Sequence, residues 1–174
     1  ELEIVKEYIA LQQMRYDFII EMNIEDGSYL DQPTVRMLFQ PLVENAIRYG
    51  LGDDEKISIQ VFEDVARHLA VVTISDSGKG LNQEEIDEIN QPFDYDWGYW
   101  KNENRGIGLR YVKAMLESFY DGQTSLFVNS KKGFGTRITI LLPVREPEEK
   151  KEKDKDKEVT LEENKVGQTD ERID

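Results

Sequence analysis

The chain has 174 residues, a formal net charge of −14, 39% hydrophobic residues and no cysteine. This length fits one domain with an appendage, and the hydrophobic fraction is sufficient for a buried core. The negative charge disfavours nucleic acid as a partner, the lack of cysteine excludes disulfides and thiolate metal sites, and no apolar run reaches the roughly 18 residues of a membrane span.

The N-terminal sequence predicts a helix followed by a strand. ELEIVKEYIALQQMRY has a helical pattern that ends near Tyr16, and it lacks an initial Met and an N-cap residue, so we interpret the chain as a piece of a longer protein. The residues at helical spacing are Ile4, Tyr8, Leu11 and Arg15. Residues 18–25 alternate as a strand does, with one apolar face. That face carries Phe18, Ile20, Met22 and Ile24.

Residues 32–51 predict one long helix with a polar residue on its apolar face. Pro41 inside the segment suggests a kink or a loosened turn, and Gly50 marks the end. Asn45 lies three residues after Leu42 and shares its face. Burying an amide without a partner costs roughly 1–3 kcal/mol. Asn45 therefore has either a local partner or a ligand that arrives from outside.

The rest of the chain up to residue 145 predicts two antiparallel hairpins and two further helices. The hairpins comprise residues 56–76 and 123–143, where strand-like runs flank a short turn. The helices comprise residues 82–90, capped by Asn82, and residues 106–120, opened by two glycines. Since hairpins dominate, we predict an α+β fold, with a mixed, mainly antiparallel sheet and helices on one face in a two-layer sandwich.

Three glycine clusters stand at the boundaries of these elements: DSGKG (76–80), GIG (106–108) and GFG (133–135). Glycine lets a backbone approach a ligand closely, and a helix N-terminus attracts anions. Residues 106–109 therefore predict a phosphate site, whereas the alternative is that all three clusters are only turns and caps. No G-x-x-x-x-G-K-[ST] or G-x-G-x-x-G sequence occurs, which excludes a P-loop and counts against a Rossmann fingerprint.

Four segments resemble, in order and spacing, the N, G1, G2 and G3 boxes of the GHKL ATPase superfamily: ENAIRYG, DSGKG, RGIGL and GFGT. That superfamily includes sensor histidine kinases, type II topoisomerases, Hsp90 chaperones and mismatch-repair ATPases. LFQPLVENAIRYGL and the preceding YIALQQMRY are most similar to membrane-bound sensor histidine kinases of two-component systems. The resemblance implies a Bergerat-type ATP-binding domain over residues 17–145, preceded by a helix, residues 1–16, that leads out of a phosphoacceptor region.

The resemblance gives the N-box residues roles at the phosphates of ATP. It implies that Asn45 coordinates Mg²⁺, which prefers hard oxygen ligands and is commonly shared with substrate phosphates. Glu44 matches a catalytic residue that activates water in hydrolysing members and assists proton transfer or metal hydration in kinases. Arg48 matches a phosphate-contacting residue, although a solvated helix charge is the alternative. Tyr49 matches a position beside the nucleotide where close relatives more often have His.

The resemblance also implies ATP rather than GTP. Asp76 matches the G1-box Asp, whose carboxylate accepts a hydrogen bond from the adenine amine and would reject the guanine oxygen. The other matching cofactor-binding positions lie in the glycine clusters. They are Gly78 and Gly80 on the adenine side, Gly106, Gly108 and Leu109 at the phosphates, and Gly135 and Thr136 close to the base.

Two segments carry further expectations. Residues 91–105 match the ATP lid, in which Lys101 and Arg105 are candidates for phosphate contacts. The five aromatic residues of this lid would pack against the nucleotide, the domain itself or the phosphoacceptor helices, or would form a small satellite core.

The charged tail, residues 146–174, predicts disorder because it has few large apolar residues, and a partner-binding tail is the alternative.

The sequence therefore predicts the catalytic domain of a two-component sensor histidine kinase that uses ATP and Mg²⁺. His68 is the only histidine and lies where a turn enters a strand, so we expect the acceptor His to lie upstream in the full-length protein. The implied parent is a membrane-bound bacterial homodimer with this domain in the cytoplasm and a response regulator downstream. The alternatives are a GHKL enzyme that hydrolyses ATP and a non-catalytic nucleotide-sensing or interaction module.

Overall fold

The computed structural model describes residues 1–51, 55–90 and 107–145. The predicted lid and tail, and with them Lys101, Arg105 and Gly106, lie outside these ranges. The described elements are α1 (Leu2–Gln13), β1 (Ile19–Ile24), a 3₁₀ turn (Ser28–Asp31), α2 (Gln40–Tyr49), β2 (Lys56–Asp64), β3 (Leu69–Asp76), α3 (Gln83–Asn90), α4 (Ile107–Phe119), β4 (Ser125–Lys131) and β5 (Gly135–Pro143).

The strands form one five-stranded sheet in the order β1-β2-β3-β5-β4. The two predicted hairpins are present, so β2 pairs antiparallel with β3, and β4 pairs antiparallel with β5. β3 and β5 join the hairpins in a further antiparallel pair, whereas β1 runs parallel to β2. The prediction of an α+β fold with a mixed, mainly antiparallel sheet is confirmed.

The register of the central strands places one apolar row under the helices. Ile59 pairs with Ile74, and Ile74 pairs with Ile138, and all three are buried. Because side chains alternate between the faces of a strand, Asp76 lies on this same face, two residues after Ile74. Asp76 pairs with Thr136. The buried face of the sheet therefore ends in a polar pair.

The second helix is shorter than predicted. It begins at Gln40 rather than at residue 32, and Pro41 lies in its first turn, where a missing N–H costs nothing and no kink results. The residues before it adopt a loop in which Met37 has a positive φ of 58°. The backbone N–H groups of Met37 and Leu38 donate to the carboxylate of Glu1 over 2.6 and 2.9 Å. A contact between distant parts of the chain thus replaces the helical turns.

The first helix packs with a different face from the one that its spacing suggested. Val5 and Ile9 are buried in the core, whereas Ile4 and Leu11 are 42% and 64% exposed.

The third helix agrees with its prediction, because Asn82 Oδ1 accepts from the Glu85 N–H over 2.9 Å as an N-cap. Across residues 1–51, 55–90 and 107–145, we find no helix whose length and hydropathy would let it cross a bilayer.

We expect Ile9→Ala to lower the free energy of unfolding by about 2–4 kcal/mol, because it leaves a cavity under α1. Leu11→Ala, the matched control on the same helix, should change it by less than about 0.5 kcal/mol. Urea unfolding of both variants measures the difference. Equal losses would show that α1 does not pack through its Val5–Ile9 face.

Candidate functional site

A cavity of about 80 Å³ lies between α2, the ends of β3 and β5, and the first turn of α4. Its walls combine apolar side chains from the helices and the sheet with a few polar groups. Six of the residues that the sequence predicts to bind the nucleotide or the metal line this cavity. They are Asn45, Tyr49, Asp76, Gly80, Leu109 and Thr136.

Asp76 is the carboxylate of this cavity, and the backbone holds it in place. Its Oδ1 accepts from the N–H of Gly78 over 3.0 Å and from the N–H of Thr136 over 3.1 Å. Burial raises the pKa of Asp76, because it disfavours the charged form, and the two backbone donors oppose that shift. Within the described ranges both of these donors bind Oδ1, which leaves Oδ2 for a donor that enters the cavity.

Glycines allow three backbone segments to close around Asp76. A Cβ atom on Gly50 would lie 2.4 Å from Asp76 Cγ, and one on Gly78 would lie 2.5 Å from Gly50 Cα. Gly135 has a φ of +89°, and a Cβ there would lie 2.0 Å from the carbonyl oxygen of Asp76. Side chains at these positions would push apart the backbone that orients the carboxylate. These glycines therefore serve close backbone packing around the site.

The loop after β3 is fastened to the turn between β4 and β5. The Lys79 carbonyl accepts from the Gly133 N–H over 2.7 Å, and the Leu81 N–H donates to Ser130 Oγ over 2.8 Å. Ser130 Oγ also lies 2.9 Å from Thr136 Oγ1. Thr136 thus supports Asp76 through its backbone N–H, while its hydroxyl contacts Ser130.

The polar residues of α2 divide between the cavity and the surface. Asn45 faces the cavity beside α4, since a Cβ on Gly108 would lie 3.1 Å from Asn45 Nδ2. Glu44 and Arg48 instead form an ion pair with 2.6 Å between Oε1 and Nη2, and their side chains are 40% and 62% exposed. Neither member of that pair lines the cavity.

Residues 30–146 match the model of a family described as histidine kinase-, DNA gyrase B-, and HSP90-like ATPase. The chain belongs to this ATPase family. The resemblance that the four boxes carried is confirmed.

Curated relatives agree with this assignment. The chain is 30% identical over 145 residues to the sensor protein kinase HptS of Staphylococcus aureus strains bovine RF122 / ET3-1 and USA300. The match covers 83% of this chain and 27% of each relative, so the chain spans about a quarter of their length.

Two solved histidine kinases share the fold. The Acinetobacter baumannii histidine kinase AdeS superposes with a TM-score of 0.57 at 18% identity, covering 83% of this chain and 64% of AdeS. The mycobacterial sensor histidine kinase MprB gives 0.55 at 19% identity, covering 82% of this chain and 93% of MprB.

Sequence reasoning missed part of the ATPase-family cavity. The sequence indicates Gly50 only as a helix end and gives Lys79, which lies between two glycines, no predicted role. Both residues line the cavity. The apolar wall was also missed, although Leu42 and Ala46 share a helical face with Gly50. The remaining apolar residues of the wall are Ile74, Leu81, Ile89 and Ile138. Strand alternation could have identified two of them, because it places Ile74 and Ile138 on the same face of the sheet as Asp76 and Thr136.

Gly135→Ala should destabilise the protein by well over the roughly 1–2 kcal/mol that a left-handed conformation costs an L-residue, because its methyl would meet the Asp76 carbonyl. Gly133→Ala is the matched control. Gly133 has a similar φ of +82°, with nothing within 4 Å of an added Cβ. Thermal unfolding would report the two losses, and a Gly133→Ala loss as large as that of Gly135→Ala would contradict the packing argument.

Proposed function

We propose that this chain is the ATP-binding catalytic domain of a two-component sensor histidine kinase. It donates the γ-phosphate of ATP to a His that lies upstream in the full-length protein. The observation that carries the proposal is Asp76, whose Oδ1 is occupied by two backbone donors and whose Oδ2 remains available to the cavity. Membership of the ATPase family and the relatives named sensor protein kinase support it.

The cavity suits adenine. A carboxylate oxygen accepts a hydrogen bond from the exocyclic amine of adenine, whereas the carbonyl oxygen of guanine offers only an acceptor there. Ile74, Leu81 and Ile138 supply apolar surface for the faces of a planar base. Since Asp76 is held from two sides, little reorganisation is needed when the base binds.

Asn45 fits a Mg²⁺ ion that is shared with the phosphates. Its amide oxygen is a hard ligand of the kind that Mg²⁺ prefers. Within the described ranges, no group of three or more His, Cys, Asp or Glu side chains is placed to hold a metal. A Mg²⁺ ion at Asn45 would therefore take most of its ligands from phosphate and water, and when bound it would neutralise phosphate charge. Gly108 keeps the start of α4 close to Asn45.

The pairing of Glu44 with Arg48 favours phosphoryl transfer to imidazole over hydrolysis. A water molecule must lose a proton as it attacks, so hydrolysis needs a carboxylate base within reach. A neutral imidazole attacks with the lone pair of its unprotonated nitrogen and needs no such base. Glu44 is engaged with Arg48 over 2.6 Å at the surface, outside the cavity lining.

The acceptor His belongs to another part of the full-length protein. His68 immediately precedes β3, whereas Asp76 is the last residue of that strand. The seven steps of β3 from Leu69 to Asp76 span about 24 Å in an antiparallel strand, so His68 lies at the far end of the sheet from the cavity. We place residues 1–16 after the phosphoacceptor region, residues 17–145 in the catalytic domain, and residues 146–174 in a charged tail.

We further propose that the full-length protein is a bacterial membrane-bound homodimer with this domain in the cytoplasm. Its phosphoacceptor helices would receive the phosphoryl group from ATP and pass it to a response regulator. The similarity to sensor protein kinases supports this assignment.

Asp76→Asn should weaken ATP binding by about 10- to 100-fold, because Nδ2 would present a donor to the adenine amine. The ratio of GTP affinity to ATP affinity should be higher in the variant than in the parent, because GTP carries a 6-carbonyl group. Isothermal titration calorimetry with ATP and GTP measures both effects. Unchanged ATP affinity would remove Asp76 from the base-recognition role.

The same variant controls for loss of folding. Asn Oδ1 can still accept from Gly78 and Thr136. A carboxyl whose pKa is raised on folding contributes stability below its usual pKa and loses that contribution as pH rises through the raised folded value. At neutral pH, replacing it with an amide should therefore leave Tm unchanged or raise it.

Asn45→Ala should reduce the Mg²⁺ dependence of ATP binding, because the protein oxygen that holds the ion is lost. The parent should bind ATP more tightly with Mg²⁺ than with EDTA, and in the variant this ratio should fall towards one. Adenosine affinity, which needs no metal, is the internal control. A variant that keeps the full Mg²⁺ effect would exclude Asn45 as a ligand.

A further inference from the structure

Lys79 extends from the loop after β3 into the cavity lining, and its ammonium faces an aromatic ring. Lys79 Nζ lies 5.3 Å from the centroid of the Tyr49 ring. Tyr49 lies on α2, one turn after Asn45, so the pair joins the loop to the helix across the cavity. The motif correspondence assigns roles to Asp76, Gly78 and Gly80 but none to Lys79.

The position of Lys79 is fixed by its backbone, while the residue as a whole is exposed. Its carbonyl accepts from the Gly133 N–H over 2.7 Å, and two residues later the Leu81 N–H donates to Ser130 Oγ. A flexible four-carbon side chain on a fastened loop can reorient without moving the cavity wall. The ammonium can therefore exchange the ring for another partner at small structural cost.

An anionic nucleotide needs such a cation here. The chain carries a net charge of −14, and Asp76 adds a carboxylate inside the cavity. Arg48 is bound to Glu44 over 2.6 Å. Of the cavity-lining residues in residues 1–51, 55–90 and 107–145, Lys79 alone is a lysine or arginine.

We propose that Lys79 recognises the phosphate chain of the nucleotide, and that the Tyr49 ring holds its ammonium at the cavity until the nucleotide binds. A cation–π contact at a partly exposed site is weaker than a charge-assisted hydrogen bond to phosphate. The ammonium therefore leaves the ring when phosphate arrives. This inference rests on the proposed function and adds a specificity-determining residue to the nucleotide site.

Calorimetry with ATP, ADP and adenosine at low ionic strength tests the proposal. Lys79→Met should weaken ATP and ADP binding about tenfold, the effect of one lost charge-assisted contact, and should leave adenosine affinity within about twofold. Lys79→Arg keeps the charge and should retain most of the ATP affinity. The loss in Lys79→Met should shrink at high salt, because screening weakens the contact in the parent protein.

The chain offers a matched control in a second lysine–aromatic pair. Lys131 Nζ lies 4.4 Å from the centroid of the Phe134 ring, and Lys131 does not line the cavity. Lys131→Met removes the same charge and a similar contact nearby, so it should leave ATP affinity unchanged. An equal loss in both variants would mean that net charge, rather than Lys79, controls binding.

A double-mutant cycle tests the part assigned to Tyr49. Tyr49→Leu should weaken ATP binding more in the parent than in the Lys79→Met background, because the ring acts partly through the ammonium. Additive effects would overturn the holding role of Tyr49.

The outcomes also separate this inference from the proposed function. ATP binding by the parent with no loss in Lys79→Met would overturn the role of Lys79 and leave the nucleotide site standing. Equal weakening of ATP and adenosine would overturn it too, since Lys79 would then act on the base or on cavity shape. A parent that binds neither ATP nor adenosine would overturn both.

Discussion

The carboxylate of Asp76, held by two backbone N–H groups at the end of a central strand, is the constraint on which the site depends. One donor comes from Gly78 in the following loop, and the other comes from Thr136 on the neighbouring strand. The arrangement requires backbone at Gly50 and Gly135 to lie where side chains would clash. Segments far apart in sequence are therefore fixed by a single charged group that burial makes costly to ionise.

The helix α2 distributes its side chains so that each face serves a different need. Leu42 and Ala46 are buried and form part of the apolar wall of the cavity, while Asn45 and Tyr49 add polar groups to the cavity lining. Glu44 turns towards solvent and pairs with an arginine one turn later. In the proposed function, Asn45 would hold a metal-bound phosphate chain along one edge of this helix while other residues of the helix contribute to the core, because a period of 3.6 residues separates them.

Local patterns predicted most of the fold, and contacts between distant residues account for the rest. The hairpins and the Asn82 cap follow from alternation and capping within short windows. The predicted start of α2 was wrong. Leu38 has helical spacing with Leu42, yet the Leu38 N–H donates to the carboxylate of Glu1, 37 residues away. In the site, motif spacing singled out Asn45, Asp76 and Thr136. Motif spacing could not indicate that Lys79 meets the ring of Tyr49, since this contact depends on how two separate elements pack.

The distribution of charge links the fold to the proposed function. An acidic chain repels a nucleotide at long range, and salt screens that repulsion beyond about 10 Å. Affinity must then come from groups at contact distance. Pairing Arg48 with Glu44 offsets one carboxylate charge on α2. Lys79 adds a positive charge to the cavity lining, and we propose that it meets the phosphate chain there. The same pairing holds Glu44 at the surface, outside the cavity lining, so this arrangement of charges is consistent with the proposed transfer of the phosphoryl group to imidazole.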